Sequence, residues 1–315
     1  MFCFNSVSLS TGCLYKDGFM TELRMLGLSF LVLAFTAFGN AGAVDKVVYG
    51  DDDRLDIFET TNPLFIDIAR STAAMIERSS LTEAGENVVI TGETLEQRGI
   101  CASAKFSQQI TAAMCSGFLV GKDLLVTAGH CIKTQADCDA YAWVFDYNLT
   151  TPDKSEFSVS KSAVYKCKKV ISQTLDRATL NDFSLIRLER AVTDREPLKY
   201  RTEGKIATNH PIVVIGHPTG LPTKVAAGAN VRSNENGYYF VANLDTFGGN
   251  SGSAVFDAQT GSVEGILVRG ENDYVYDYQQ GCRVPQQCTN EGCRGEDVTR
   301  ITNVKALIQS ALDEE

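Results

Sequence analysis

The stretch Cys115–Cys131, CSGFLVGKDLLVTAGHC, holds two short apolar runs, Gly117–Val120 and Leu124–Thr127, around the turn formers Gly121 and Asp123. The same texture continues outward toward the C-terminus. Phe183–Leu188, Pro211–Ile215, Tyr238–Ala242, Ser253–Phe256 and Val263–Val268 are further short apolar runs, set between Gly, Asn and Asp. Short runs at regular spacing, with no long helical pattern between them, predict an all-β sandwich or barrel. Upstream, residues 44–100 are polar and lack cysteine. There Val47–Tyr49 predicts a short strand and Asp51–Asp53 a turn. Asn62-Pro63 predicts a helix start, carried through Ile76 with Leu64, Ile68, Ala69 and Met75 facing inward. Asn303–Leu312 is helical in pattern, with Val304, Leu307, Ile308 and Leu312 on one stripe.

Composition narrows the function classes. The chain has 315 residues, 44% of them hydrophobic and 22% charged, which is ordinary globular usage. Its 29 Lys and Arg against 39 Asp and Glu give a net charge of −10. Phosphates demand cationic counter-surface, so general nucleic-acid binding is not expected. Nor is there a basic run to meet an anionic membrane. Leu26–Phe38 is an apolar run behind Arg24, too short to span a bilayer and suited to a signal-peptide core. Ala41-Gly42-Ala43 offers a cleavage site that leaves Val44 first, with Met20 an alternative start. Residues 1–43 are thus read as signal and upstream residues, and the remainder as secreted or periplasmic with no membrane attachment. Their removal takes Lys16 and Arg24 together with Asp17 and Glu22, so the charge does not change. Ten cysteines favour an oxidising compartment. Cys101, Cys115, Cys131, Cys138, Cys167, Cys282, Cys288 and Cys293 remain after cleavage, an even set as disulfides require.

Histidine is scarce, at three residues. His130 closes the Leu124–Thr127 run between small residues and Cys131, which fixes its backbone and leaves the imidazole accessible. That setting suits a general base. Ser251 lies in Asp245–Val255, DTFGGNSGSAV, where glycines permit the positive φ that turns backbone N–H groups toward one point. The N–H groups of Gly249 and Ser251 are candidate oxyanion donors. Ser253 breaks the G-x-S-x-G pattern, which removes the α/β-hydrolase signature. Asp182 heads the apolar run Phe183–Leu188, an unexpected place for an acid unless a partner accepts it. Asp146 and Asp176 are rivals without that strand context. His210 and His217 flank an apolar strand and are read as loop or structural residues.

These blocks resemble the catalytic blocks of chymotrypsin-fold serine peptidases, in that family's order: Thr127–Cys131 for histidine, Asp182–Leu188 for aspartate, Gly248–Ser253 for serine. Cys115–Val120 is similar to the strand before the histidine block. The likeness runs over about Cys101–Glu315 and is strongest to the bacterial branch that includes glutamyl endopeptidases, where Asn, here Asn250, precedes the serine. The resemblance implies two six-stranded antiparallel β-barrels with the site between them. On that reading residues 44–100 are an N-terminal extension or propeptide. Residues 101–200 form the first barrel with His130 and Asp182, and 201–315 the second with Ser251 and a C-terminal helix. His130, Asp182 and Ser251 would be the triad, acting on protein or peptide substrates in a monomer without cofactor or metal. The resemblance also implies a Cys115–Cys131 disulfide, worth about 3 kcal/mol in the chain-entropy model.

Other pairings are less constrained. Cys138–Cys167 follows from proximity, and Cys101 joins one of Cys282, Cys288 and Cys293. A metal cluster of those last three has neither a C-x-x-C pair nor a nearby histidine. By the same resemblance Asp245 and Thr246 line the pocket for the side chain before the scissile bond. A carboxylate there favours Arg or Lys, unless Arg269 reaches Asp245 and neutralises it. Glutamyl specificity is the alternative; it lacks its facing-strand histidine here. A catalytically silent binding protein is a further alternative. Val268 stands where many relatives place a serine against the catalytic aspartate, predicting the loss of one hydrogen bond to Asp182.

Overall fold

The computed structural model describes residues 47–152 and 157–313. The signal-peptide reading of residues 1–43 lies outside them. The fold is mostly β, as two six-stranded antiparallel barrels. Six strands close the first: β1 (Thr72–Glu77), β2 (Ala113–Leu119), β3 (Leu124–Thr127), β4 (Tyr141–Val144), β5 (Val164–Leu175) and β6 (Asp182–Leu188). Their order around the barrel is β4-β5-β6-β3-β2-β1, with β1 paired back to β4. The second barrel uses β7 (Pro211–Gly216), β8 (Lys224–Ser233), β9 (Tyr239–Ala242), β10 (Ala254–Asp257), β11 (Val263–Arg269) and β12 (Glu296–Arg300). These run in the order β7-β10-β11-β12-β9-β8, and the β7–β8 pairing closes the ring.

Closure removes sheet edges and puts alternate side chains into a shared interior. Trp143, Phe118, Leu125 and Ile186 fill the first barrel; Ile212, Val214, Phe240, Val255 and Leu267 fill the second. At about 1.5–3 kcal/mol per buried large aliphatic or aromatic side chain, these interiors dominate the stability of the fold. All of β6 is buried, because one face meets the barrel interior and the other is covered. On that side the Arg187 guanidinium binds Asp123 at 2.9 and 3.0 Å and donates to the Ala311 carbonyl of the C-terminal helix (Lys305–Asp313) at 2.7 Å. The expected C-terminal helix therefore seals the first barrel.

Two expectations about the N-terminal region change. The helix begins where Asn62 and Pro63 predict, and Asn62 accepts from the Leu64 N–H at 3.0 Å. It ends at Ala69, well before Ile76. From Thr72 the chain is a strand, since Thr72–Glu77 finds pairing partners in β2 and β4 and buries five of its residues. The long apolar stretch was compatible with either period, and strand pairing decided it. Consequently the first barrel does not start at residue 101: one of its six strands comes from the segment expected to be an extension or propeptide. Arg54–Asp56 likewise adds a seventh strand beside β8.

Among the described residues four disulfides staple the loops: Cys115–Cys131, Cys138–Cys167, Cys101–Cys282 and Cys288–Cys293. The last two consume all three C-terminal cysteines. Among the described residues no helix is long and apolar enough to cross a membrane.

Candidate active site

The antiparallel register Ser184↔Thr127 sets the end of β3 beside the start of β6. His130 follows β3 and Asp182 opens β6, so register alone brings imidazole to carboxylate. His130 Nδ1 lies 2.8 Å from Asp182 Oδ2, and the His130 N–H donates to Oδ1 at 3.1 Å. Both carboxylate oxygens are therefore engaged by one residue, and the ring presents Nε2 away from Asp182. Gly129 is needed beside it: a Cβ there would sit 2.0 Å from the Thr174 carbonyl oxygen. Asp182 is buried, while the His130 side chain keeps 20% of its surface exposed. One partner is thus fixed and the other reachable.

Ser251 reaches this place from the second barrel, on the loop before β10. Its carbonyl accepts from the Ser116 N–H at 2.8 Å, which ties the serine loop to β2 next to Cys115. Gly249 takes φ +90°, and a Cβ on it would meet the His217 carbonyl oxygen at 2.5 Å. Only glycine fits there without strain. Among the described residues neither the Gly249 N–H nor the Ser251 N–H is donated to a protein acceptor. Asn250 turns inward, its Oδ1 accepting from Ser253 Oγ at 3.3 Å.

The acid behind the imidazole has a cation nearby that the sequence did not reveal. Arg269 does not reach Asp245. Its Nη1 lies 3.9 Å from Asp182 Oδ2, its Nε binds Asp297 at 2.8 Å, and its Nη2 donates to the Leu180 carbonyl at 2.7 Å. Where Val268 leaves Asp182 without a serine hydroxyl, the neighbouring residue brings a guanidinium instead. Arg294 completes the group, binding the same Asp297 oxygen at 2.7 Å.

Asp245 is engaged by backbone amides. It is buried, and its two oxygens accept the backbone N–H groups of Tyr49 at 2.7 Å and Asp53 at 2.8 Å. Burial pushes its carboxyl up to about 7, although those two bonds oppose the shift. The expected pocket floor is in fact a tie for the N-terminal segment, which also gives the Val47 carbonyl to the Thr246 N–H at 3.1 Å. Arg54 of that segment lies 4.1 Å over the Phe247 ring. Sequence reasoning could not see this, because the acceptors are reached from some two hundred residues away. Thr246 does face an acid: its Oγ1 donates to Glu296 Oε2 at 2.7 Å in a buried contact.

His217 is structural, as expected. It is fully buried, its Nδ1 lies 3.0 Å from the Leu221 carbonyl, and its ring stacks on Tyr147. Burial brings its pKa down to about 3, so it stays neutral at working pH. Cys115, Cys131 and His130 place a ligand atom each within 4.8 Å of one another. The two sulfurs are bonded to each other and the His130 Nδ1 faces Asp182, so this trio has no thiolate to offer a metal.

Residues 115–266 match the family model of the trypsin-like peptidase domain. That span begins at Cys115 and contains His130, Asp182 and Ser251. Over that span, just under half of the chain, the sequence is similar to trypsin-like peptidases. Peptide-bond hydrolysis is the activity that likeness points to. Among solved structures it is similar to a Glu endopeptidase in complex with MPD, at 16% identity and a TM-score of 0.49, over 85% of this chain and 100% of that chain. No curated protein matches its sequence. Beyond the matched span, the fold recruits strand β1 and the Val47–Asp56 segment from upstream and the Lys305–Asp313 helix from downstream.

Proposed function

We propose that the protein is a secreted or periplasmic serine endopeptidase in which Ser251 is the nucleophile, His130 the general base and acid, and Asp182 the group that orients the imidazole. The observation that carries this reading is the His130 Nδ1 to Asp182 Oδ2 contact of 2.8 Å, made by a buried acid to a ring that keeps 20% of its surface exposed. With the proton on Nδ1, Nε2 is the basic atom. The Ser251 hydroxyl attacks the scissile carbonyl carbon as Nε2 takes its proton. The negative oxygen is stabilised by the N–H groups of Gly249 and Ser251, each such donor being worth roughly 10²–10³ in turnover. His130 then gives the proton to the leaving amine, and an acyl-enzyme remains. Water, deprotonated by His130, hydrolyses it and frees Ser251. Four disulfides support an oxidising compartment.

Cleavage after Arg or Lys rests on a different acid from the one expected. We infer that Glu296, fully buried and bound by the Thr246 hydroxyl, becomes the pocket carboxylate when an Arg or Lys side chain enters beside Thr246. A buried carboxylate in that wall favours a cationic side chain, since the ligand charge offsets its desolvation. A preference for Glu substrates, or an Arg preference untouched by Glu296→Gln, rejects this assignment. For the triad, a fluorophosphonate probe should label wild type and not Ser251→Ala. His130→Ala should lose nearly all turnover, and Asp182→Asn about 10⁴-fold, by analogy with the triad precedent. Equal labelling of wild type and Ser251→Ala overturns the reading.

A further inference from the structure

The Gly248-Gly249 pair is the most easily flipped stretch of the site. Two consecutive glycines leave the backbone free to rotate, and φ +90° at Gly249 adds no steric barrier. A trans peptide points its C=O and N–H in opposite directions. The Gly249 N–H therefore faces the reacting carbonyl only while the Gly248 carbonyl faces away. In related enzymes activated by a freshly cut chain terminus, an Asp before the serine orders this loop; here that residue is Asn250, which has no charge for an ammonium.

Three other bonds hold the loop, one on each successive peptide group. The Gly248 N–H donates to Asp273 Oδ2 at 2.8 Å. The Gly248 carbonyl accepts from the Thr219 N–H at 2.5 Å. The Gly249 carbonyl accepts from Ser116 Oγ at 2.8 Å. The same Ser116 Oγ accepts from the His217 N–H at 3.0 Å, so one hydroxyl joins β2, the His217–Leu221 turn and the serine loop. That turn is itself shaped for the contact. Thr219 sits at φ +52°, uncommon for a residue with a Cβ, and its hydroxyl lies 2.7 Å from the Tyr274 hydroxyl. Tyr274 adjoins Asp273, so both anchors of the glycine pair come from cross-linked neighbours.

We propose that Ser116 and Asp273 are positioning residues that lock the Gly248–Gly249 peptide with its N–H toward the reacting carbonyl, so that the oxyanion hole is preformed by the folded barrels without a new chain terminus. Neither residue touches substrate; each acts through the glycine backbone. The inference rests on the serine-peptidase reading and deepens it.

The test uses Ser116→Ala, Asp273→Ala and Asp273→Asn in the full chain. It reads kcat and KM on one peptide reporter, inhibition by a peptide boronic acid that mimics the tetrahedral intermediate, and melting temperature. Losing the lock weakens the hole without removing a donor, so kcat should fall about 10- to 100-fold for each alanine variant. KM should stay within about twofold, and boronic-acid affinity should weaken by the same factor as kcat/KM. Asp273→Asn keeps an oxygen acceptor for the Gly248 N–H and should recover most of the loss. Alanine variants that melt as wild type and keep kcat within about twofold overturn the proposal. So does a loss of rate with unchanged boronic-acid affinity, or Asp273→Asn behaving as Asp273→Ala. A wild type that no fluorophosphonate labels at Ser251 overturns the underlying reading as well, and separates that failure from failure of the lock alone.

Discussion

At the residue scale, the proposed site combines groups that local sequence suggests with groups recruited from afar. His130 and Ser251 stand in small-residue settings that reveal them, and Asp182 betrays itself as an acid heading an apolar strand. Arg269 and Asp245 do not. Their residue types were evident, but their partners, Asp182 with Asp297 and the Tyr49 and Asp53 amides, lie on other strands and segments. Asp245 makes a pH prediction possible. Its carboxyl titrates at about 7 in the fold against an ordinary 3.8, because burial disfavours the charge. Between these values the folded protein holds a proton that the unfolded chain has released. The stabilisation is thus complete below about pH 4 and is lost as pH rises through about 7. Melting temperature of wild type relative to Asp245→Asn should fall between about pH 4 and pH 7 and level off above. A difference that stays constant across this range contradicts the assignment.

At the element scale, the strands legible in sequence were those with continuous apolar runs. β5 is hidden in the sequence because Val164–Leu175, VYKCKKVISQTL, interleaves lysines with its apolar residues; only two of its twelve residues are buried, so periodicity is diluted. β12 was missed because Glu296–Arg300, EDVTR, reads as a charged turn. It is nonetheless buried throughout, its charges matched by Thr246, Arg269 and Arg294. β1 was read as helix until pairing with β2 and β4 decided it. Its place in a closed barrel gives a sharp expectation about processing. N-terminal sequencing of the active enzyme should find the chain starting upstream of Val48. A truncation that begins at Cys101 should fail to fold, since it deletes one of six barrel strands and its buried Ala73, Ala74, Met75 and Ile76. Full activity from a chain beginning at Cys101 would show that the segment is a removable propeptide.

At the scale of the whole molecule, charge sets how substrates arrive. A net charge of −10 surrounds a cleft whose proposed preference is for cationic side chains. Exposed charges act over a Debye length of about 8 Å at physiological salt. Steering of this kind should raise kcat/KM for a peptide rich in Lys and Arg, and should fade as salt increases. Between about 0.05 and 0.5 M salt, kcat/KM for such a peptide should drop several-fold, while a neutral peptide of equal length changes little. An equal salt response for both peptides removes the steering argument.

What the sequence determined by itself was the barrel class, the chemical blocks and their order. Each of these is written in residues close together along the chain: an apolar run, a glycine pair, a histidine between small neighbours. Tertiary structure alone decided which strand completes the first barrel, which acid Thr246 binds, what lies behind Asp182 and what holds the Gly248–Gly249 backbone. Those are contacts between distant segments, such as Tyr49 with Asp245 and Ser116 with Gly249. Their formation depends on barrel closure and register, and the free energy that selects them belongs to the packed whole rather than to any local run of residues.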